Sequence, residues 1–140
     1  MTISASIEET LALGREIART LRRGDVIGLS GDLGAGKTHF VKGVASGLGA
    51  DGTVTSPTFT LIHEYLGGAL PLYHFDFYRM EDEDEVLRIG LDDYLEGDGV
   101  CLIEWADKFP GLLPPHTRWW LFTQQPDGTR AIEETAGPSV

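Results

Sequence analysis

The amino-acid sequence predicts one α/β domain with three layers, in which a mixed, mainly parallel β-sheet with added antiparallel hairpins lies between helices. Segments of helical periodicity alternate with short strand-like segments, and a glycine-rich loop joins one strand directly to a helix. With 140 residues, 41% of them hydrophobic, the chain is long enough for one domain with a hydrophobic core and too short for two domains that each have a sizeable core. We assign residues 1–135 to this domain and expect residues 136–140 to be frayed.

The first predicted element is a helix over residues 7–22. Ser6 begins a capping-box pattern, and apolar or small residues then recur at helical spacing. Arginines gather in the last turn of this helix, where positive charge is favourable against the helix dipole. An apolar strand over residues 26–30 follows, and a second helix begins after the glycine-rich loop and ends near Gly47 or Gly49.

A hairpin is predicted in the middle of the chain, with strands over residues 59–65 and 70–77 and a turn at Gly67-Gly68. One or two short helices are expected over residues 81–96, which begin with a run of acidic side chains. This segment therefore connects the hairpin to the C-terminal part of the sheet.

Three more strands complete the predicted sheet. Residues 100–103 form a continuously apolar run, which is typical of a strand covered on both faces. Residues 118–123 read as another strand, and Asp127-Gly128 can turn the chain into a last strand.

The glycine-rich segment is a complete GxxxxGK[ST] phosphate-binding loop, which predicts a P-loop NTPase-like fold. It reads Gly31-Asp32-Leu33-Gly34-Ala35-Gly36-Lys37-Thr38. Its glycines let successive backbone N–H groups point at the phosphates of a nucleoside triphosphate, and the following helix presents its positive end to the same anion. Lys37 can reach the β- and γ-phosphate oxygens, while the Thr38 hydroxyl can take one position on Mg²⁺.

A nucleotide site that also hydrolyses needs carboxylates, and Glu104 is the first candidate. It follows the apolar strand over residues 100–103, and the carboxyl ends of such strands line the ligand crevice of an open α/β sheet. Glu104 can therefore face a Mg²⁺ held by Thr38; the alternative is an ordinary acid exposed at a strand end. The neighbouring Trp105 can pack over the site, belong to a partner surface, or be a core residue.

The second candidate is Asp76, within His74-Phe75-Asp76-Phe77-Tyr78-Arg79. Strand alternation places His74, Asp76 and Tyr78 on one face. Asp76 can position the attacking water or a metal-bound water, and Arg79 can neutralise phosphate charge. A purely structural cluster of hydrogen-bonded polar groups is the alternative.

The acidic composition argues against direct binding to nucleic acid. The formal net charge is −11 and the pI is about 4.6, so the chain lacks the clustered basic residues that a nucleic-acid backbone requires. The acidic residues over 81–98 form either solvated helix surface or a docking surface for a basic partner. Cys101, in an apolar strand, is read as a small buried residue. No signal peptide or membrane-length apolar stretch is visible, so we expect a cytoplasmic protein with no membrane role.

Four motifs, in their order and spacing, resemble the TsaE (YjeE) family over roughly residues 6–123. They are the phosphate loop, Ser56-Pro57-Thr58-Phe59, His74-Phe75-Asp76-Phe77-Tyr78-Arg79 and Leu102-Ile103-Glu104-Trp105. That family supplies the ATPase subunit of bacterial tRNA threonylcarbamoyladenosine biosynthesis. The resemblance implies ATP and Mg²⁺ as cofactors and the TsaB and TsaD proteins as partners, which modify adenosine 37 of tRNA; the chain itself would meet tRNA only indirectly, through that complex.

The resemblance also implies roles for individual residues. Thr38 and Glu104 would hold Mg²⁺, Lys37, Asp76 and Glu104 would be catalytic, and residues 6–10 would lie near the adenine. The residues that would bind ATP are the loop and its following tryptophan: Gly31, Asp32, Leu33, Gly34, Ala35, Gly36, Lys37, Thr38 and Trp105. His39 departs from the family pattern, which usually has a second threonine there. A hydroxyl at this position is therefore either dispensable in this chain or altered in its role, and we expect slower hydrolysis.

Other nucleotide-dependent functions remain as alternatives. A small-molecule or nucleoside kinase shares the phosphate loop but usually has a lid with several arginines. Beyond Asp76 this chain holds only Arg79, Arg88, Arg118 and Arg130. A GTPase is disfavoured because the chain contains no asparagine and no Thr-Lys pair for an [NT]KxD motif. A non-catalytic, nucleotide-dependent interaction module is the third alternative.

Overall fold

The computed structural model describes residues 1–31, 36–50, 53–54 and 62–137. The strands are β1 (Thr2–Ser4), β2 (Val26–Gly31), β3 (Thr53–Val54), β4 (Ile62–Tyr65), β5 (Leu72–Asp76), β6 (Val100–Glu104), β7 (Arg118–Gln124) and β8 (Arg130–Thr135). The α-helices are α1 (Ile7–Ala18), α2 (Lys37–Gly47), α3 (Glu83–Arg88) and α4 (Leu91–Leu95). Within the described ranges, each helix is too short or too polar to cross a membrane.

All eight strands join one sheet in the spatial order β1-β8-β7-β2-β6-β5-β4-β3. The four central strands, β7, β2, β6 and β5, run parallel, whereas the strands on both flanks are antiparallel. The mixed α/β architecture is therefore confirmed. The sheet was expected to be mainly parallel, but three of the seven strand pairings in the described chain are parallel. The other four pairings, on the two flanks, are antiparallel.

Helices cover both faces of the sheet, so each strand alternates between two apolar cores. In β2, Ile27 and Leu29 enter the core beneath α1 and α2, whereas Val26 enters the core beneath α3 and α4. Cys101 in β6 belongs to the second core, and its burial agrees with its reading as a small apolar residue. The three predicted layers are present.

Two glycines allow α1 and α2 to pack closely. A Cβ placed on Gly14 of α1 would lie 2.5 Å from the carbonyl oxygen of Phe40 in α2. A Cβ on Gly43 of α2 would in turn collide with the backbone of Leu11. Only glycine permits this approach, because real side-chain carbons cannot come so near a backbone oxygen.

The element boundaries differ from expectation at several points. α1 ends at Ala18, four residues before the predicted end, and β1 was not predicted because its three residues are too few for a periodic pattern. Strand β5 stops at Asp76, since the Asp76 carboxylate accepts the Tyr78 N–H at 2.9 Å and starts a 3-10 turn over Phe77–Arg79. Residues 59–61 and 138–140 lie outside the described residues. The start of the first hairpin strand at residue 59 and the fraying of residues 136–140 therefore stay predictions.

Candidate functional site

Three parallel strands end at the same edge of the sheet, and their last residues approach one another. Asp76 of β5 is the register partner of Glu104 of β6, and Leu29 of β2 is the partner of Glu104 on the other side. Strand β2 ends at Gly31, and α2 begins at Lys37. The loop residues Asp32, Leu33, Gly34 and Ala35 lie outside the described residues.

A cleft of about 360 Å³ opens at this edge. It is lined by Gly36, Lys37, Thr38, His39, Asp76, Tyr78, Arg79, Glu104, Trp105 and Arg130. The structure thus gathers all three residues predicted to be catalytic, both predicted metal ligands and the predicted tryptophan in one place. The Ser56-Pro57-Thr58-Phe59 motif lies outside the described residues.

Gly36 and Lys37 form the described end of the phosphate loop. Gly36 has a φ of 94°, in the left-handed region that glycine adopts without strain, and it directly precedes α2. Lys37 is only 4% exposed. Its ammonium donates to the carbonyl oxygen of Gly31 at 2.9 Å and lies 3.8 Å from the ring centroid of Trp105. The lysine is thus held at the mouth of the loop by a backbone oxygen and an aromatic face.

Trp105 has an unusual backbone. Its φ of 59° is the only positive value at a non-glycine residue in the described chain, and such a conformation costs energy for a bulky side chain. The conformation turns the chain after Glu104, and the indole contacts both Lys37 and Tyr78, whose ring centroid is 5.0 Å away. Of the three interpretations of Trp105, packing over the site is the one that this geometry supports.

Glu104 is 7% exposed, and its Oε2 accepts a hydrogen bond from His74 Nε2 at 2.6 Å. His63 lies beside this pair, with its ring centroid 5.6 Å from that of His74. Burial, and then the nearby His74, lower the pKa of His63, while burial and the charge of Glu104 raise the pKa of Tyr65. Glu104 and His74 thus form a buried polar pair, and Glu104 also lines the cleft.

The segment after Asp76 is fixed from both sides. Asp76 accepts the Tyr78 N–H, and the Lys108 ammonium donates to the carbonyl oxygens of Tyr78, at 3.1 Å, and Met80. Tyr78 therefore leaves the strand, so the prediction that it shares a strand face with His74 and Asp76 is wrong. It is 56% exposed and reaches the cleft along a different path, over Trp105.

Arg130 in β8 was not singled out as a site residue in the sequence. A Cβ placed on Gly36 would lie 3.1 Å from Arg130 Cδ, so this arginine covers the last glycine of the phosphate loop. Pairing of β8 between β1 and β7 brings it there from nearly one hundred positions along the chain, and a single arginine after a turn carries no local signal. The same Gly36 position lies 3.7 Å from Thr10 Cγ2, so the start of α1 also borders the loop.

The chain is similar to proteins of one family over most of its length. The family model described as "Threonylcarbamoyl adenosine biosynthesis protein TsaE" matches residues 4–132. A tRNA threonylcarbamoyladenosine biosynthesis protein TsaE from Bacillus subtilis is 52% identical over 92% of this chain and 80% of its own length. The protein of the same name from Treponema pallidum is 42% identical over 93% of this chain and 96% of its own length. The crystal structure of YdiB from Bacillus subtilis superposes with a TM-score of 0.80 at 43% identity, covering 98% of this chain and 84% of that one.

Proposed function

This chain belongs to the TsaE family of threonylcarbamoyl adenosine biosynthesis proteins, and we propose that it is the ATP-binding and ATP-hydrolysing subunit of the machinery that makes threonylcarbamoyladenosine in tRNA. One observation carries the proposal. Lys37 and Thr38, at the start of α2, face the same cleft as Asp76 and Glu104, at the ends of two parallel strands. A phosphate-binding helix start and two carboxylates in one cleft are the groups that nucleotide hydrolysis requires.

The positive side of the cleft suits a triphosphate. The N-terminus of α2 contributes the positive end of the helix dipole. Lys37 adds a full charge at the helix start, and Arg79 and Arg130 add two more from other elements. Cations that line a cleft in this way stabilise the negative charge that shifts toward the leaving phosphate oxygens.

Thr38 and Glu104 form a donor set that fits Mg²⁺, because that ion prefers oxygen ligands and usually takes only one or two from the protein. Both residues line the same cleft. When bound with the nucleotide, Mg²⁺ would neutralise phosphate charge and hold the triphosphate in register. Glu104 is nearly buried, so its carboxylate is poorly hydrated and favours a cationic partner.

Asp76 is the residue that we assign to the attacking water. It is half-buried at the end of β5, beside Glu104 in the sheet, and its carboxylate is oriented by the Tyr78 N–H. An oriented carboxylate can accept a hydrogen bond from water and align its lone pair with the terminal phosphate. Because Lys37 lines the same cleft and would hold the terminal phosphate, the water would lie between the Asp76 base and the phosphorus that it attacks.

The family resemblance implies the TsaB and TsaD proteins as partners, and the charge of the chain bears on how it meets tRNA. A chain with a formal net charge of −11 is a poor ligand for tRNA, so we propose that it meets tRNA only through the TsaB and TsaD proteins. ATP binding and hydrolysis would then drive a conformational step in that complex. We expect the assembly to work in the cytoplasm, where tRNA modification takes place.

The test is an ATPase assay of the chain alone and with TsaB, TsaD and tRNA, in the presence and absence of Mg²⁺. We expect turnover to need Mg²⁺ and to rise when the partners are added. Glu104→Gln should abolish turnover and retain nucleotide binding, whereas Glu16→Gln, an exposed acid on α1, should match the wild type. Tight Mg²⁺-ATP binding without turnover, even with the partners, would show an interaction module rather than an ATPase.

A further inference from the structure

We propose that His74 is a positioning residue that holds the Glu104 carboxylate in the orientation needed to receive the Mg²⁺ of the bound nucleotide. This inference rests on the proposed function, in which Glu104 is a metal ligand. The hydrogen bond between His74 Nε2 and Glu104 Oε2 is 2.6 Å long, and each side chain is only 9% exposed. A short bond in such a dry place is stronger than one in water.

The direction of this hydrogen bond is fixed by chemistry. An ionised carboxylate has no proton to donate, so Nε2 of His74 must carry the hydrogen. Both the neutral Nε2–H ring and the fully protonated ring meet this condition. The bond uses Oε2 of Glu104 and leaves the other carboxylate oxygen to take a ligand from the cleft. A metal-binding carboxylate held in this way by a second residue is a recurring feature of metal sites.

The hydrogen bond to Glu104 is the main polar contact of the His74 side chain. Within the described part of the chain, its buried Nδ1 has no hydrogen-bond partner. The ring lies against His63, the residue opposite it on β4, which contributes packing rather than a hydrogen bond. A histidine that served only to stabilise the core would be expected to satisfy both nitrogens, since an unpaired buried nitrogen is costly.

The two carboxylates of the cleft are held in different ways. Asp76 is oriented locally, by the N–H of Tyr78 two residues later. Glu104 is oriented by a side chain 30 residues away in the sequence, on the neighbouring strand β5. In the parallel register His74 lies opposite Leu102, two residues before Glu104, so its ring reaches diagonally toward the cleft. The orientation of Glu104 thus depends on the β5–β6 pairing.

The test measures metal binding directly. Mn²⁺ replaces Mg²⁺, and its binding to the full chain with a non-hydrolysable ATP analogue is followed by electron paramagnetic resonance. His74→Gln retains an N–H near the position of Nε2 and should bind Mn²⁺ as the wild type does. His74→Leu retains an apolar side chain without a donor and should bind about tenfold more weakly. His74→Asn, whose amide is too short to reach Glu104, should behave like His74→Leu and serves if the leucine variant does not fold.

Two controls isolate the role of the hydrogen bond. His63→Leu removes the neighbouring ring without touching Glu104 and should leave Mn²⁺ affinity within about twofold. In a Glu104→Gln background, His74→Leu should cause no further loss, because the group that it positions is gone. Equal Mn²⁺ affinity in the wild type and His74→Leu would overturn the inference. So would a loss of affinity on His74→Leu that is as large in the Glu104→Gln background as in the wild type. If the wild type binds Mn²⁺ and the analogue but does not hydrolyse ATP even with TsaB, TsaD and tRNA, the proposed function fails while the role of His74 can still be measured.

Discussion

The ammonium of Lys37 lies against the face of the Trp105 indole, 3.8 Å from the ring centroid. The contact links the phosphate loop after β2 to the sharp turn after β6. Any group that draws Lys37 toward the cleft must therefore change the electrostatic environment of Trp105.

Trp105 should report nucleotide binding by its fluorescence. An ammonium beside an indole alters its emission, and phosphates compete with the ring for Lys37. We expect ATP to change the intrinsic emission of the wild type and of Trp120→Phe, in which a buried core tryptophan is replaced. Trp105→Phe should show no change, although calorimetry should still detect binding. A full fluorescence change in Trp105→Phe would assign the signal elsewhere.

Gly36→Ala should weaken ATP binding beyond its effect on stability. At a φ of 94° an alanine costs about 1–2 kcal/mol, and its Cβ would also press on Arg130 Cδ at 3.1 Å. Gly67→Ala is the matched control, since Gly67 has a φ of 92° and open space around its missing Cβ. Both variants should lose similar stability in urea, but Gly36→Ala alone should lose ATP affinity. Equal affinities for the two variants would remove Gly36 from the site.

Asp76→Asn should separate the chemical role of Asp76 from its structural role. The asparagine oxygen can still accept the Tyr78 N–H, so stability should change little, while turnover with the partners should fall about a hundredfold. Asp82→Ala is the converse control. Asp82 caps α3 by accepting the Glu85 N–H at 2.9 Å, so its loss should cost about 1 kcal/mol and leave turnover intact. Near-normal turnover in Asp76→Asn would make Asp76 a structural residue.

Cys101 should be inert in the folded protein. Burial raises the pKa of its thiol from an ordinary value of 9.0 to about 12, so the native chain holds almost no thiolate at pH 8. We expect no reaction with a thiol reagent in buffer and one equivalent per chain in guanidinium, since the sequence contains one cysteine. A fast stoichiometric reaction with the native protein would contradict the buried position.

The same thiol affects stability in a defined direction. Because the folded pKa lies above the unfolded one, the unfolded chain loses this proton first as the pH rises above 9. The contribution of Cys101 to the free energy of unfolding is therefore constant below pH 9 and falls between pH 9 and about 12. Cys101→Ala should show a shallower loss of stability over that range in urea titrations.

Local patterns predicted much of this molecule. The phosphate loop and the strand before it form one continuous segment, and a second continuous segment leads into Glu104. Spacing within each segment was enough to place Lys37 and Thr38 at a helix start and Glu104 at a strand end. The left-handed backbone of Trp105 and the arrival of Arg130 depend on tertiary packing and left no local pattern. The prediction for Tyr78 was wrong because its backbone N–H donates to the Asp76 carboxylate, which ends the strand early.

The hydrogen bond between His74 and Glu104 could not be predicted from local sequence patterns either. Strand alternation marked His74 as a polar residue on the face of Asp76, but its partner follows from the register of β5 against β6. A shift of that register by one residue would turn one of the two side chains to the opposite face. No pattern within either strand specifies the register.

The glycine contact between α1 and α2 has a dynamic consequence. Gly14 and Gly43 leave so little space between the helices that neither can roll or slide without moving the other. The helix that carries Lys37 is therefore part of a larger cooperative unit, and α1 and α2 should open together in native-state hydrogen exchange. Binding of ATP at the start of α2 should slow exchange along α1 as well, so the first helix of the chain would sense a ligand through the backbone of its neighbour.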